Sequence, residues 1–291
     1  MQIAVTGSTG LVGSALIPIV INSGHSAVRV SRPRDWDPDS GSVNARIFDG
    51  VDAVVHLSGE SIASGRWTSA KKSRIRESRV KSTRLIAETL ARLDRPPEVL
   101  VSASATGYYG DRGNEILRED SPPGQGFLAD VCRQWEMATD PATRKGIRVV
   151  HLRTGLVLSK NGGALEKMLL PFRLGLGGKI GSGDQYWSWI ALDDLCSAIL
   201  HCIQASGLHG PVNMVSPSPV TNLEFTKALA RVLSRPAVFP LPAFAARLAL
   251  GEMADALLLA SARVEPAKLQ ASRFVFKHTD IEASLRALLR P

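Results

Sequence analysis

Glycines at positions 7, 10 and 13, in the run QIAVTGSTGLVG (residues 2–13), have the spacing of a phosphate-cradling turn. Lacking a Cβ, Gly7 can take a tight turn and Gly10 lets the backbone approach a pyrophosphate, while Gly13 lets a helix pack closely on the preceding strand. A helix opening at Leu11 would aim unpaired N–H groups and a positive dipole end at the same anion. This chemistry is dinucleotide binding, and it nominates Thr6, Gly7, Thr9, Gly10, Leu11, Val12 and Gly13 as contacts. A second group could move protons. Ser104, Tyr108 and Tyr109 lie close together in SASATGYYG (residues 102–110), and Glu60 offers a carboxyl in the segment LSGE (residues 57–60). A positioned hydroxyl, phenol or carboxyl at the reacting atom is what general acid–base catalysis requires.

The kind of dinucleotide turns on the end of the second apolar run. Binding of NAD places an acidic residue about 20 positions past the glycines, on the ribose 2′-hydroxyl. Here residues 27–30 lead into Ser31-Arg32-Pro33-Arg34, and no carboxylate precedes Asp35. A guanidinium at Arg32 suits a 2′-phosphate, to which it can donate two parallel hydrogen bonds. The sequence therefore favours NADP(H) over NAD.

The elements that must hold these residues alternate. Apolar strand-like runs at 3–6, 27–30, 52–57, 99–102 and 147–152 are separated by helical patterns near 11–22, 68–93 and 127–143. Near-continuous apolar strands between helices imply a parallel sheet covered on both faces. Ligands of such sheets bind outside the carboxyl ends of the strands. That nominates Leu57, Ser58 and Gly59, then Ser102 and Ala103, then Arg153 as further cofactor contacts. Pro18, inside the first helix pattern, is expected to kink it. Residues 35–50 are polar and turn-rich, so the element usual at that point should be short or missing.

Beyond residue 158 the texture changes. Residues 175–183 (GLGGKIGSG) resemble a phosphate loop only superficially, because Ile180 follows Lys179 where a hydroxyl residue would be needed. A flexible lid or hairpin turn suits them better. Trp187 and Trp189 alternate as in a strand, as cleft wall or as core, and Asp193-Asp194 has the form of a helix N-cap. Helical patterns near 222–234, 242–260 and 280–289, punctuated by prolines, suggest a smaller helical domain. The expected division is a nucleotide domain over 1–157 plus about 191–205, with 158–190 and 206–291 on the substrate side.

Composition narrows the partners. The chain has 291 residues, 44% of them hydrophobic, which is enough for a substantial core. No run of 18 apolar residues suggests a membrane span, and the N-terminus reads as a core strand rather than a signal peptide. Cys132, Cys196 and Cys202 form no CxxC pair, which suggests buried thiols in a reducing cytoplasm, and the six histidines show no metal-ligand spacing. Of the net charge of +8, residues 66–95 supply +7. This is read as one long helix with a solvated face or, alternatively, one that steers an anionic cofactor or substrate. With Trp67 its one aromatic residue, it lacks the interleaving expected of a nucleic-acid binder. No nucleic-acid or membrane partner is expected, and a homodimer is left open.

TGSTGLVG, DAVVHL (52–57) and SASATGYYG resemble an extended short-chain dehydrogenase/reductase of the epimerase/dehydratase superfamily. Closer still is an atypical subgroup, the epimerase family proteins with a C-terminal domain of unknown function. RWTSAKKSRIRESRVKSTRLI, FLADVCRQWE, GIRVVHLRTGLVLSKNGGAL, PFRLGLGGKIGSGDQYWSWIALDDL and PVTNLEFTKAL carry that likeness along the whole chain. It implies an α/β Rossmann-type doubly wound sheet with a smaller, mostly helical C-terminal domain. Conventional members carry Tyr-x-x-x-Lys on the helix after the serine strand, with the tyrosine as acid/base. Here Phe127 with Val131, or Leu128 with Cys132, fills those slots, and neither pair can exchange a proton in that way. Two readings follow. The chain is an oxidoreductase or epimerase-like enzyme acting on a small carbonyl or hydroxyl substrate through Ser104, Tyr108, Tyr109 or Glu60. Alternatively it is an NADP(H)-binding sensor or interaction protein without turnover.

Overall fold

The computed structural model describes residues 1–289. Six strands form one parallel sheet: β1 (Gln2–Thr6), β2 (Ser26–Val30), β3 (Ala53–His56), β4 (Val99–Ala105), β5 (Arg148–Thr154) and β6 (Gly210–Met214). Their spatial order is β2-β1-β3-β4-β5-β6. The chain leaves β1 toward β2, then returns to build on the other side of β1. The order therefore reverses between β1 and β3, which is where open α/β sheets bind ligands.

The helices of eight or more residues are α1 (Leu11–Asn22), α2 (Ser69–Ala91), α3 (Phe127–Met137), α4 (Gly163–Arg173), α5 (Leu192–Gln204), α6 (Asn222–Leu233), α7 (Ala243–Leu250) and α8 (Ile281–Leu289). Successive side chains of a strand point to opposite faces, so β1 feeds two cores. Ile3 and Val5 pack with Leu16, Val20, Leu195 and Ile199. Ala4 packs on the other side with Val54, Ile86, Leu90 and Leu100. A third core joins α4, α6 and α8 and encloses Trp187 and Trp189, so these tryptophans are core and not cleft wall.

Some sequence expectations need revision. Residues 35–50 add no strand to the main sheet and hold only short elements, as expected: an antiparallel pair of two-residue strands, Trp36–Asp37 and Ser42–Val43, and a 3-10 turn, Ala45–Phe48. Helix α1 runs unbroken through Pro18, which lies on its exposed side. Strand β6 lies beyond residue 205, so the sheet draws in chain that the sequence assigned to the substrate side. Asp193 and Asp194 sit in the first turn of α5 and do not cap it. Asp194 instead accepts the backbone N–H groups of Lys277 and His278, both at 2.9 Å, and so anchors the C-terminal segment to α5. All three cysteines are free and buried. Among the described residues, no helix is long and apolar enough to cross a membrane.

Candidate cofactor and substrate cleft

The glycine turn sits at the switch point. Gly7 has φ +67°, and a Cβ there would lie 2.9 Å from the Leu57 carbonyl carbon. The turn thus packs directly on the end of β3, beside Leu57 and Ser58. A Cβ on Gly13 would overlap the Gly7 carbonyl, so helix and turn close only with glycine at that position. Gly10 is the N-cap of α1, which has no side-chain cap and no acidic residue in its first turn. Its leading N–H groups are free to face an anion.

At the end of β2, the Arg32 guanidinium meets Asp37 at 3.2 Å and Asp39 at 3.0 Å and lies over the Trp36 ring. Arg32 remains 42% exposed, and such surface pairs contribute about 0–1 kcal/mol, so exchanging them for a phosphate costs little. Arg29, which the sequence reading overlooked, reaches from β2 to the Ser8 carbonyl at 3.4 Å. It adds a second cation beside the turn.

Beneath the turn, Thr6, His56, Ser102 and His151 are neighbours across four strands. Thr6 and Ser102, both nominated as cofactor contacts, are buried, with their side chains turned into the protein. Thr6 bonds His56 Nδ1 at 2.7 Å, and Ser82 lies 3.2 Å from His56 Nε2. Burial depresses the His56 pKa to about 4, so the ring is neutral.

Two residues along, Ser104 faces Arg153 across β4 and β5, and both belong to an enclosed network. Glu136 on α3 accepts from Ser104 Oγ at 2.7 Å and takes a two-point contact from Arg153, with both bonds at 2.9 Å. Arg153 also donates to the Tyr109 hydroxyl and to the Glu119 carbonyl. The Tyr109 hydroxyl donates to Asn213 Oδ1 at 2.7 Å. Arg153 is only 3% exposed and cannot serve as a cofactor contact while it holds Glu136. Tyr109 is fully enclosed, and burial pushes its hydroxyl up to about 12. Ser104 and Tyr109, nominated as acids, are thus both hydrogen-bonded within this network. The network joins residues as far apart as 104 and 213, a pairing that no local motif announces.

Tyr108 differs. It is partly exposed, its ring lies over the Arg153 guanidinium at 3.4 Å, and its hydroxyl has no hydrogen bond among the described residues. Glu60 is held anionic, first by its bond from Lys71 Nζ at 2.6 Å, and an ionised carboxylate cannot donate a proton. Arg79 on α2 lies against Gly59, its guanidinium carbon 3.4 Å from where a Cβ would stand. Burial lowers its pKa, and it lies over the Trp135 ring with no ion pair among the described residues. Like Arg29, it was not singled out in the sequence, where it lies within a run of ten cations in residues 66–95. Cys132 is a packed thiol pushed up to about 12 by burial.

Residues 3–214 match the NAD dependent epimerase/dehydratase family, and residues 241–288 match the Domain of unknown function (DUF1731). An epimerase family protein of Mycobacterium bovis is 42% identical over 99% of this chain and 98% of its own length. The human epimerase family protein solved with NADPH superposes with a TM-score of 0.90 at 33% identity, covering 99% of each chain. A nucleoside-diphosphate sugar epimerase of Corynebacterium glutamicum gives 0.83 at 38% identity, over 99% of this chain and 58% of that one. With the glycine turn at the switch point and a likeness spanning its full length, this chain belongs to the NAD dependent epimerase/dehydratase family.

Proposed function

We propose that the chain binds NADP(H) across the carboxyl ends of its sheet and acts as an oxidoreductase on a small carbonyl or hydroxyl compound. The observation that carries this is the uncapped start of α1 behind a turn that closes only with glycine. The human relative solved with NADPH supports the same cofactor. Gly7, Thr9, Gly10, Leu11, Val12 and Gly13 would hold the pyrophosphate, and Arg32 the 2′-phosphate with Arg29 beside it. Leu57, Ser58, Gly59 and Ala103 would line the ribose and nicotinamide. The bound cofactor supplies hydride.

The chain must supply the proton, and the Tyr-x-x-x-Lys pair is absent. With Ser104, Tyr109 and Glu60 committed elsewhere, Tyr108 is the remaining phenol at the strand ends, oriented by Arg153 beneath its ring. The test is Tyr108→Phe, assayed by single-turnover loss of NADPH absorbance against a carbonyl panel. Hydride transfer is expected to fall about 10²-fold or more, as for a lost acid, with NADPH affinity unchanged. Full activity in that variant would remove Tyr108. Binding without turnover of any carbonyl by the native protein favours the non-catalytic sensor, a reading supported by the apolar residues at 127, 128 and 131.

A further inference from the structure

Arg79, on the side of α2 that meets α3, is a cation held in place without a counter-ion. Its guanidinium lies over the Trp135 ring, 5.1 Å from the centroid, and against Gly59 just past the end of β3. Nη1 donates to the Ile75 carbonyl at 3.1 Å. Nε and Nη2 donate to nothing among the described residues, and neither atom is closed off from solvent. Together they form one edge of the planar group, a two-point fork for the oxygens of an acid. The carboxylate whose charge bears on Arg79 is Glu60, which already accepts from Lys71 Nζ at 2.6 Å and lies 3.9 Å from Arg74. Burial lowers the Arg79 pKa, as for a charge that has lost water without gaining a partner.

The phosphates of the cofactor have other partners: the start of α1 for the pyrophosphate, Arg32 for the 2′-phosphate. Arg79 instead adjoins α3, where its charge opposes the effect of burial on the Cys132 thiol. Cys132 Sγ lies 3.9 Å from where a Cβ on Gly107 would stand, and Gly107 precedes Tyr108, the phenol assigned the proton. The open fork therefore belongs with the reacting end of the cleft. Arg76, one turn earlier on α2, is exposed and lies 5.9 Å from the centroid of the Phe127 ring at the start of α3. It makes no ion pair or hydrogen bond among the described residues. Like charges three residues apart on a helix repel, so a bound anion would relieve both arginines.

We propose that Arg79 receives a carboxylate of the substrate, with Arg76 adding charge beside it, so that the carbonyl compound this site takes is an oxo acid. The inference rests on the NADP(H) reading above. The test uses the full chain saturated with NADP⁺, which has no hydride to give, so binding is read without turnover. Pyruvate, acetoacetate and levulinate, which set the acid at increasing distance from the ketone, are titrated by calorimetry. Acetone, butanone and 2-pentanone, which carry methyl in place of the acid, are titrated alongside. At least one oxo acid is expected to bind saturably and about tenfold or more tighter than its neutral counterpart. Arg79→Met should remove that margin, as for lost hydrogen bonds to a charged group. Arg79→Lys, which keeps the charge without the fork, should fall between. Arg76→Gln should weaken the oxo acid less, about two- to threefold, because that charge is exposed. NADP⁺ affinity should not change in any variant. Saturable binding of none of the oxo acids, equal affinity for acid and ketone, or undiminished oxo-acid binding by Arg79→Met would overturn the proposal. Loss of NADP⁺ affinity in Arg79→Met would also overturn it, giving Arg79 to the cofactor. Failure of the native chain to bind NADP⁺ strikes the underlying reading instead, and the first titration reports it separately.

Discussion

Glu136 holds Arg153 by two bonds inside the protein, and removing either partner leaves the other buried without its counter-charge. Glu136→Gln should therefore lower stability by roughly 3–5 kcal/mol, measured by chemical denaturation. Ser104→Ala removes one bond to a carboxylate that keeps its arginine, so it should cost only about 1–3 kcal/mol and leave hydride transfer intact. An inactive but stable Ser104→Ala protein would return that serine to the chemistry. His56 adds a pH dependence. Its pKa is depressed from 6.5 to about 4 in the folded protein, so between those values the unfolded chain takes up a proton that the native chain refuses. Stability should fall as pH drops from 6.5 toward 4, by about 3 kcal/mol from this residue. His151 is depressed as well, chiefly by burial, and adds a loss of the same sign as pH falls below 6.5. A His56→Gln variant should show a flatter profile there; an unchanged slope would mean that other groups set it.

Among the elements, the opening turn is the least tolerant. Gly13→Ala drives a Cβ into the Gly7 carbonyl, so the turn and α1 must separate. Cofactor affinity is expected to drop at least tenfold, about 1.4 kcal/mol, while Gly24→Ala, whose Cβ meets open space, should leave it unchanged. This turn was legible in the sequence because strand, glycines and helix are contiguous there. Strands β1, β3 and β4 were legible because both faces of each are buried, which makes them nearly unbroken apolar runs. Strand β6, GPVNM, was not: Gly210, Pro211 and Asn213 interrupt the run. It pairs only with β5, and such an edge position tolerates a proline without an N–H group. The order of α1 across Pro18 was also hidden, since the helix is held by Leu16, Ile17 and Val20 packing on the sheet. Propensity at a single position yields to that burial.

At the scale of the molecule, two bodies of side chains meet over the strand ends, and the contacts between them are what the sequence conceals. Lys72 reaches Glu252, 180 residues away, at 2.8 Å, and Arg66 reaches the end of α7. The basic character of α2 appeared to be a solvated face. Three of its cations in fact work inward: Lys71 on Glu60, Lys72 on Glu252 and Arg79 over the Trp135 ring. Which of the nominated acids could meet a substrate was equally illegible, because Ser104, Tyr109 and Arg153 are claimed by Glu136, Glu119 and Asn213 from distant parts of the chain. The cofactor half could be read from one end of the sequence; the catalytic half had to await the fold.

The central claim is that the opening turn, with Arg32, selects NADP(H). Its most direct test is a fluorescence titration of NADPH and NADH into cofactor-stripped protein and into Arg32→Ala. The native chain should bind NADPH saturably and at least tenfold more tightly than NADH. Arg32→Ala should lose that margin, about 1.4 kcal/mol, with NADH affinity little changed. Equal loss for both dinucleotides would contradict the assignment of Arg32 to the 2′-phosphate, and saturable binding of neither would contradict the account as a whole.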